Sequence, residues 1–498
     1  MRKVAVLLIL VVFVVAGLAA AGFRLQRGGS GWPRFVVRSN DAALEANRAQ
    51  QRAAETAASS SAPTSPIASA SAQSATADKT ADKPNASAVA QSNPDELRRD
   101  KPSVPTTASS SGDSWTDFRG PNRDGRYTAT PILTTWPREG LKLLWKQPVG
   151  GGYASFVVAD GRAFTIEQRR NQEVVAAYDL QSGRELWANA WNAHFEESLG
   201  GDGPRATPTY HDGRIYALGA EGELRVLDAA KGTLVWRRNI LTDNNASNIS
   251  WGMSASPLIV DDKVIVLPGG TRGSSVVAYS KATGDPIWKA LSDEAAYTSP
   301  MLATIGGVRQ VVVVSATRVM GLTVENGKLL WQYPWSTSMG INVSQPIPFT
   351  HDGRNLVFIS AGYGHGAAVF ELVPDGGSFV AKTIWENQRM NNKFTSSVLH
   401  NGHIYGLDES ILASVNAVTG EQNWKGGRYG YGQIMLAGDH LIVLTEDGDL
   451  VLVRATPARH EEIARFSAIE GKTWNHPVIA DGKLLVRNIQ EMAAFEIR

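Results

Sequence analysis

A repeated phrase constrains this chain more than any other feature of its sequence. Each copy reads as a strand ending in Asp-Gly or a related pair, two further strands, a turn with glycine, and a closing tryptophan, most clearly at 207–236 and 256–288. Residues that close a copy recur at intervals typical of a four-stranded propeller blade. These residues are Trp145, Trp187, Trp236, Trp288, Trp331, Trp385, Trp424 and Phe466.

The number of first strands predicts the number of blades. Eight phrases that read as first strands begin at Ser155, Thr207, Ser256, Ser299, Gln345, Ser396, Ile434 and His476. Residues 141–149 read as a closing strand with no blade before it, whereas the last blade, 476–498, lacks its fourth strand. We therefore predict an all-β, eight-bladed propeller whose two ends complete one blade, which removes the open sheet edge.

The repeated tryptophans have a structural and a functional interpretation. A tryptophan at the end of every outer strand can cover the seam between two blades and bury about 150 to 250 Å². Stacking on a ligand is the other interpretation. Because the position recurs in almost every blade, we expect the seam to explain it.

Composition excludes several function classes. The chain has 49 Lys and Arg against 48 Asp and Glu, so it lacks the net positive charge of a nucleic-acid-binding protein. It has no cysteine, which excludes disulfides, thiol nucleophiles, cysteine-bound zinc and iron–sulfur clusters. Sites built from histidine and carboxylate side chains remain open.

The N-terminus predicts export. Arg2 and Lys3 precede an uncharged apolar run at 4–23, so residues 1–23 are either a signal peptide or an N-terminal membrane anchor. Ala19-x-Ala21 resembles a cleavage site, whereas the length of the run favours retention. The arginines that follow would favour a cytoplasmic position for that flank. We expect a periplasmic or extracytoplasmic propeller, attached to the inner membrane if the segment is not cleaved.

A linker of low complexity follows. No Phe, Trp or Tyr occurs in 36–114, and much of this stretch is Ala, Ser, Thr, Pro and Lys. Such a composition cannot bury a core, so we predict a disordered linker at 24–112, transiently helical over 41–58, before a propeller at 113–498. It is either a spacer between membrane and domain or inert sequence.

The repeat resembles a known family. Five copies end in Gly-x-x-x-Trp, and they resemble the tryptophan-docking repeat of pyrroloquinoline quinone (PQQ) dehydrogenase-type propellers over 115–498. The opening WTDFRGPNRDG at 115–125, together with 195–208, is similar to an exported bacterial branch of PQQ-like propellers. The five endings close at Trp187, Trp236, Trp288, Trp331 and Trp424.

The resemblance implies two kinds of function. Its superfamily contains PQQ-dependent alcohol and sugar dehydrogenases, and also cofactor-free scaffolds such as the lipoprotein of outer-membrane assembly. In the dehydrogenases, PQQ lies in the central funnel between a Trp floor and adjacent cysteines, with Ca²⁺ and an Asp base. This chain lacks those cysteines and also the lipoprotein cysteine.

The candidate binding residues lie in the loops that lead into the innermost strands, because these loops face the central channel of a propeller. Arg205 and Lys393 could pair with an anionic ligand, and Glu196 and Asp202 could offer oxygens to Ca²⁺. The candidates for cofactor binding are Glu196, Arg205, Trp251, Asn342, Lys393, Trp474 and Asn475. Other residues of these loops are Tyr153, Met253, Tyr297, Asn392, Tyr429, Tyr431 and His476.

Three interpretations of these loops stay open. The side chains could pair with one another, for example Glu196 with Arg205 around a water-filled channel. They could bind PQQ with Ca²⁺ or another small anionic ligand, or they could bind a protein partner. We predict a non-enzymatic scaffold or ligand-binding module, with a PQQ-dependent dehydrogenase as the alternative. The sequence identifies neither a catalytic residue nor a metal site.

Overall fold

The computed structural model describes residues 14, 18, 23–27, 33–37, 41–60, 113–197 and 200–498. The chain divides into two compact units, Met1–Ala49 with Ser110–Arg498, and Gln50–Ser109. Of the second unit, only 50–60 are described, as the end of a helix. No helix among the described residues is long and apolar enough to cross a membrane. The predicted signal peptide or anchor lies almost entirely outside them.

The first described elements precede blade 1 in the chain. They are β1 (Phe23–Arg27), β2 (Pro33–Val37), α1 (Asp41–Ser60), β3 (Arg126–Tyr127) and β4 (Leu143–Pro148). Strands β1 and β2 pair antiparallel. Helix α1 occupies part of the predicted linker, the rest of which lies mostly outside the described residues.

The start of α1 contacts the propeller. Leu44 is 4% exposed, and Asn47 Nδ2 donates a hydrogen bond of 2.8 Å to Gln147 Oε1. Arg48 Nη2 lies 3.3 Å from Glu167 Oε1. The first turns of α1 therefore touch both β4 and the blade that follows it.

Eight sheets of similar construction follow. Blade 1 consists of β5 (Val157–Ala159), β6 (Arg162–Arg169), β7 (Gln172–Asp179) and β8 (Glu185–Asn192). Blade 2 consists of β9 (Thr209–His211), β10 (Arg214–Leu218), β11 (Glu223–Asp228) and β12 (Leu234–Asn239), and a 3-10 turn follows at Thr242–Asn244. Blade 3 consists of β13 (Leu258–Val260), β14 (Lys263–Val266), β15 (Val276–Ser280) and β16 (Pro286–Ala290). Blade 4 consists of β17 (Met301–Ile305), β18 (Val308–Val314), β19 (Arg318–Thr323) and β20 (Leu329–Pro334).

The remaining blades keep the same order of strands. Blade 5 consists of β21 (Ile347–His351), β22 (Arg354–Ala361), β23 (Gly366–Asp375) and β24 (Ser378–Asn387). Blade 6 consists of β25 (Val398–His400), β26 (His403–Asp408), β27 (Ile411–Asn416) and β28 (Gln422–Arg428). Blade 7 consists of β29 (Gln433–Ala437), β30 (His440–Leu444), β31 (Asp449–Arg454) and β32 (Glu462–Ser467). Blade 8 consists of β33 (Val478–Ala480), β34 (Lys483–Arg487), β35 (Glu491–Glu496) and β4.

The predicted eight blades and their closure are confirmed. Strand β4 pairs antiparallel with β35, with Trp145 opposite Ala494, so an early strand completes the last blade. Arg487 of blade 8 is fully buried and donates to Thr165 Oγ1 at 2.6 Å and to Gly150 O at 2.8 Å. These contacts join blade 8 to blade 1 where the ring closes.

The closing tryptophans cover the seams between blades. In five seams, the indole lies on the glycine of the next blade, where an added Cβ would stand 2.5 to 2.8 Å from the ring. Its Nε1–H donates, at 3.1 to 3.2 Å, to the carbonyl three residues before that glycine. The pairs are Trp145 with Gly183, Trp187 with Gly232, Trp236 with Gly284, Trp288 with Gly327, and Trp385 with Gly420. Glycine is needed here because it leaves room for the ring.

The other three seams use different contacts. Trp424 donates to Thr456 O at 2.8 Å, and the Phe466 ring lies on Gly140, just before β4. Trp331 instead donates to Gln310 within its own blade, and Tyr333 stacks on Phe370 of blade 5 with ring centroids 4.1 Å apart. Between blades 4 and 5, aromatic packing thus replaces the contact with a glycine.

A belt of hydrogen bonds joins the inner strands. The small polar residues that open the predicted first-strand phrases accept hydrogen bonds from the backbone N–H of the preceding blade. In each pair the backbone N–H of the first residue donates to the side-chain oxygen of the second, at 2.8 to 3.0 Å. The pairs are Ser155 and Thr207, Ser256 and Ser299, Ser299 and Gln345, and Gln345 and Ser396. These side chains satisfy backbone groups that would otherwise be buried without partners.

Residues 115–127, which we call the channel segment, cross the centre of the ring. Trp115 pairs with Val158 of blade 1, and β3 adds in parallel to β29 of blade 7. Arg123, 2% exposed, donates to Pro300 O of blade 4 and forms a 2.7 Å ion pair with Asp117. The segment contacts the inner strands themselves. It therefore closes the channel on one side of the loops that precede these strands, and we call it the floor of the funnel.

We expect Trp236→Ala to lower the free energy of unfolding by about 3 to 5 kcal/mol, because it removes a large buried ring from a packed seam. Urea unfolding followed by circular dichroism measures this change. Leu234→Ala is the matched control: Leu234 belongs to the same strand but is 44% exposed, so its loss should cost far less. Equal costs for the two variants would contradict the seam role.

Candidate functional site

The loops above the channel segment bring four aromatic rings together. Trp474 stacks on Phe394 with centroids 4.7 Å apart and an interplanar angle of 27°. Trp474 also contacts Tyr153, with ring centroids 5.3 Å apart. The ring centroids of Phe394 and Tyr431 are 5.9 Å apart. The rings come from the loops that lead into blades 8, 6, 1 and 7. Because blades 6 and 8 are not neighbours, the Trp474–Phe394 stack reaches across the funnel in front of blade 7.

Two lysines lie over these rings. Lys472 Nζ is 3.9 Å from the Trp474 centroid and donates to Gly200 O at 3.3 Å. Lys393 Nζ lies 4.9 Å from the Tyr363 centroid and 5.0 Å from that of Tyr431. A cation over an aromatic face is attracted by its quadrupole, more strongly where water is excluded. We call these residues, with Arg205, the funnel cluster: Tyr153, Arg205, Tyr363, Lys393, Phe394, Tyr431, Lys472 and Trp474.

Arg205 is held by its own loop. Its guanidinium carbon lies 4.6 Å from the Phe195 ring centroid and 5.6 Å from that of Tyr153. It donates to the carbonyls of Gly201 and Gly203. Burial lowers the pKa of Arg205, although the negative charges around it act in the opposite direction. Arg205 therefore stabilises the loop and adds positive charge to the funnel.

Carboxylates orient the aromatic residues. Glu446 accepts from Trp474 Nε1 and from Tyr431 N, both at 3.2 Å. Glu409 accepts from Tyr431 Oη at 3.0 Å. The funnel thus contains both positive and negative charges, and its rings are fixed by hydrogen bonds as well as by stacking.

A buried acid lies behind the loop that carries Arg205. Glu173 of β7 is fully buried, and its Oε1 accepts from Ala220 N at 2.7 Å. Burial raises the pKa of Glu173 to about 7, while the Ala220 hydrogen bond and the charge of Arg205 oppose that rise. This carboxyl group therefore titrates close to neutral pH.

Four of the predicted candidates lie elsewhere or serve the backbone. Asn342 and Asn475 are buried: Asn342 Nδ2 donates to Ser315 O at 2.8 Å, and Asn475 Nδ2 donates to Ala154 O at 2.9 Å. Their Nδ2 groups fix the ends of loops, and the prediction that they bind a cofactor stays a prediction. Trp251 is half-buried and packs edge-on against Tyr297 at 5.7 Å, on the blade 3 side. Glu196 is exposed, with its Oε2 3.6 Å from His194 Nε2.

Other loop residues also point away from the funnel cluster. Tyr429 Oη lies 2.7 Å from His460 Nε2 and donates to Glu462 at 2.9 Å, on the outer strand of blade 7. His476 packs against Phe118 of the channel segment, with ring centroids 5.0 Å apart. Burial holds the pKa of His476 well below its ordinary value.

The described carboxylate oxygens of the funnel do not form the Ca²⁺ site expected of a PQQ dehydrogenase. Within the described ranges, no group of three or more His, Asp or Glu side chains could hold a metal ion. The carboxylates of Glu409 and Glu446 accept hydrogen bonds from Tyr431 and Trp474. The positive charges suit an anion, whereas the oxygen donors do not fit Ca²⁺.

Sequence reasoning missed three members of the funnel cluster. Lys472 and Phe394 are each one or two residues from a predicted candidate, Trp474 and Lys393. Tyr363 lies between β22 and β23, in a glycine-rich loop. Adjacency to a candidate was the available signal for the first two, whereas Tyr363 is marked by the structure, through a φ of +61° at a non-glycine residue.

A family model described as outer membrane protein assembly factor BamB matches residues 170–426. The BamB of Burkholderia pseudomallei is 19% identical over 372 residues, which cover 66% of this chain and 91% of that protein. The 1-butanol dehydrogenase (cytochrome c) of Thauera butanivorans is 25% identical over 167 residues, 32% of this chain but only 23% of the dehydrogenase. The crystal structure of quinohemoprotein alcohol dehydrogenase from Comamonas testosteroni superposes with a TM-score of 0.56 at 14% identity, covering 77% of this chain and 80% of that one.

The titration of Glu173 gives a prediction for stability. Its pKa in the folded state, about 7, lies above the ordinary value of 4.5, so the folded protein binds the proton more tightly. Stability is therefore lost as pH rises from about 4.5 through 7. Glu173→Gln removes this loss, so its free energy of unfolding relative to the wild type should increase by about 1 to 3 kcal/mol between pH 5 and pH 8.

Urea unfolding at the two pH values measures this difference. Glu325→Gln, at an exposed turn, serves as the control and should show little change with pH. A Glu173→Gln difference that is the same at both pH values would show that the buried carboxyl group does not titrate in this range.

Proposed function

Because this chain belongs to the PQQ-like β-propeller repeat family, we propose that it acts as a non-enzymatic scaffold or ligand-binding module through its central funnel. The observation that carries the proposal is the funnel cluster. Lys393 and Lys472 are held over aromatic rings within hydrogen-bonding networks, above a floor made by the channel segment. Lysines held over aromatic rings suit an anionic group, although Glu409 and Glu446 also lie among these rings.

A protein partner is the form of ligand that the relatives favour. The matching family model and the Burkholderia pseudomallei relative carry the name of an outer membrane protein assembly factor. A partner could present acidic side chains to the half-buried Lys393, and the aromatic rings would supply apolar contact. Lys472, which is 5% exposed, adds positive charge without being open to the partner. Aromatic and arginine side chains commonly dominate binding energy at protein interfaces.

A PQQ-dependent dehydrogenase is the second candidate. It is favoured by the 25% identity to a butanol dehydrogenase and by the Trp474 ring in the funnel. When bound in such enzymes, PQQ supplies the electron acceptor for alcohol oxidation. In this chain, Arg205 and Lys393 would pair with its carboxylates. The described oxygen donors do not fit its Ca²⁺, and the Trp474 ring already stacks on Phe394.

Two binding assays decide between the candidates. We expect a fluorescent decapeptide rich in Asp and Glu to bind, with an affinity that falls as salt increases. Lys393→Gln with Lys472→Gln should weaken that binding at least tenfold. Arg309→Gln should leave it unchanged, because Arg309 pairs with Asp261 on the surface.

The dehydrogenase candidate is tested with PQQ and Ca²⁺ added to the purified protein. A ligand at 100 times its dissociation constant stabilises a fold by about 2.7 kcal/mol. Stabilisation together with dye-linked alcohol oxidation, both lost in folded Arg205→Ala or Trp474→Ala variants, would overturn the scaffold proposal. Absence of turnover, together with binding of the acidic peptide, would support it.

We further propose that the propeller works outside the cytoplasm. Arg2 and Lys3 followed by the apolar run at 4–23 support export, and the relatives named for outer membrane assembly agree with this location. A reporter enzyme that is active only in the periplasm, fused after Arg498, should be active. Replacing three leucine or valine residues of the run by arginine should abolish that activity, and an inactive fusion of the wild type would refute the location.

A further inference from the structure

A second cavity lies beside the channel segment, away from the funnel cluster. Its volume is about 330 Å³, within the range of small-molecule sites. Arg119, Asn122 and Arg123 of the channel segment line one side. The other sides come from the inner strands of blades 4 and 5, β17 and β21. Strand β21 is partly exposed, so the cavity opens to solvent.

Arg119 is a buried cation, and no carboxylate of the described residues lies at ion-pair distance from it. It is 3% exposed, and its Nη2 donates to Ser397 O at 2.9 Å and weakly to Asp124 O at 3.5 Å. Its Nε has no hydrogen-bond partner in the described part of the chain. Arg123 differs, because Asp117 lies 2.7 Å from its guanidinium. Burial lowers the pKa of Arg119 to about 10, although the negative charge of Asp124 opposes that shift.

The opposite walls are apolar only in part. Met301, Ile305, Ile347 and Phe349 line the cavity from blades 4 and 5, together with polar residues that include Gln345, Asn355 and Ser397. The apolar part would accommodate an apolar body, and one planar anionic group would satisfy the guanidinium of Arg119. Asp124 lines the same cavity, so a second negative charge on the ligand would be repelled.

From these contacts we infer that the cavity between the channel segment and blades 4 and 5 binds a monocarboxylate with a short apolar body, its carboxylate on Arg119. This site is separate from the funnel and does not depend on the proposed function. Two sources carry such a group: a free short-chain acid, and the C-terminal residue of a polypeptide.

Calorimetric titration of the purified full chain with hexanoate tests the inference. We expect one molecule to bind, and hexanamide, which lacks the charge, to bind at least tenfold more weakly. Ala-Ala-Leu and its C-terminal amide provide the second pair of probes. The acid that binds more tightly, hexanoate or Ala-Ala-Leu, identifies the source, and either order supports the carboxylate site.

Two variants locate the binding. Arg119→Gln should weaken hexanoate at least tenfold. If that variant does not fold, Ala303→Phe, which adds bulk to the cavity wall from β17, should have the same effect while leaving Arg119 intact. The matched control Arg309→Gln should bind hexanoate normally, and so should the double variant at Lys393 and Lys472.

Several results would overturn the inference. One is a folded wild type that binds none of the acids. Another is equal binding of hexanoate and hexanamide, since the charge would then play no part. Loss of hexanoate binding in the Lys393 and Lys472 double variant, with normal binding in Ala303→Phe, would place the acid in the funnel instead.

Discussion

The docking of a tryptophan on the glycine of the next blade is the interaction on which the rest of this ring depends. The contact fixes each blade relative to its neighbour through shape and through one indole hydrogen bond, as at Trp236 and Gly284. Repetition of one local geometry sets the angle between blades, and the belt of side-chain hydrogen bonds repeats it near the axis. The funnel cluster can be preorganised because its loops start from strands that these contacts hold against one another.

Much of the fold could be predicted from sequence because the repeated contact uses two distinctive residues at a fixed spacing. The closing strand was predictable too. The stretch that forms β4 has no blade before it in the sequence, and the blade that contains β35 ends without a fourth strand. The site was less predictable. A polar residue before an inner strand can face the channel, as Trp474 does, or turn back to hold a loop carbonyl, as Asn475 does. The two positions look alike in a sequence. The direction of each side chain depends on whether a backbone carbonyl from a remote part of the chain lies within hydrogen-bonding distance.

The channel segment shows the same limit from the other side. The motif at 115–125 could be recognised as a family feature, but its chemistry depends on blades that are far away in the chain. Arg119 reaches Ser397, and Arg123 reaches Pro300. In the structure, this short stretch joins separate blades across the axis and separates two sites of different character. The funnel above it offers rings and lysines, and the cavity beside it offers two arginines and a partly apolar wall.

The closure of the ring has a consequence for the order in which the protein can mature. Strand β4 emerges early during synthesis, but its partner β35 is among the last residues made. Until those residues arrive, blade 8 does not exist and the ring has two open edges, which are prone to pairing with other chains. A protein of this design has to be kept from aggregating for the whole time of its synthesis, and one that is exported as an extended chain gains that protection by folding only after its last strand has crossed.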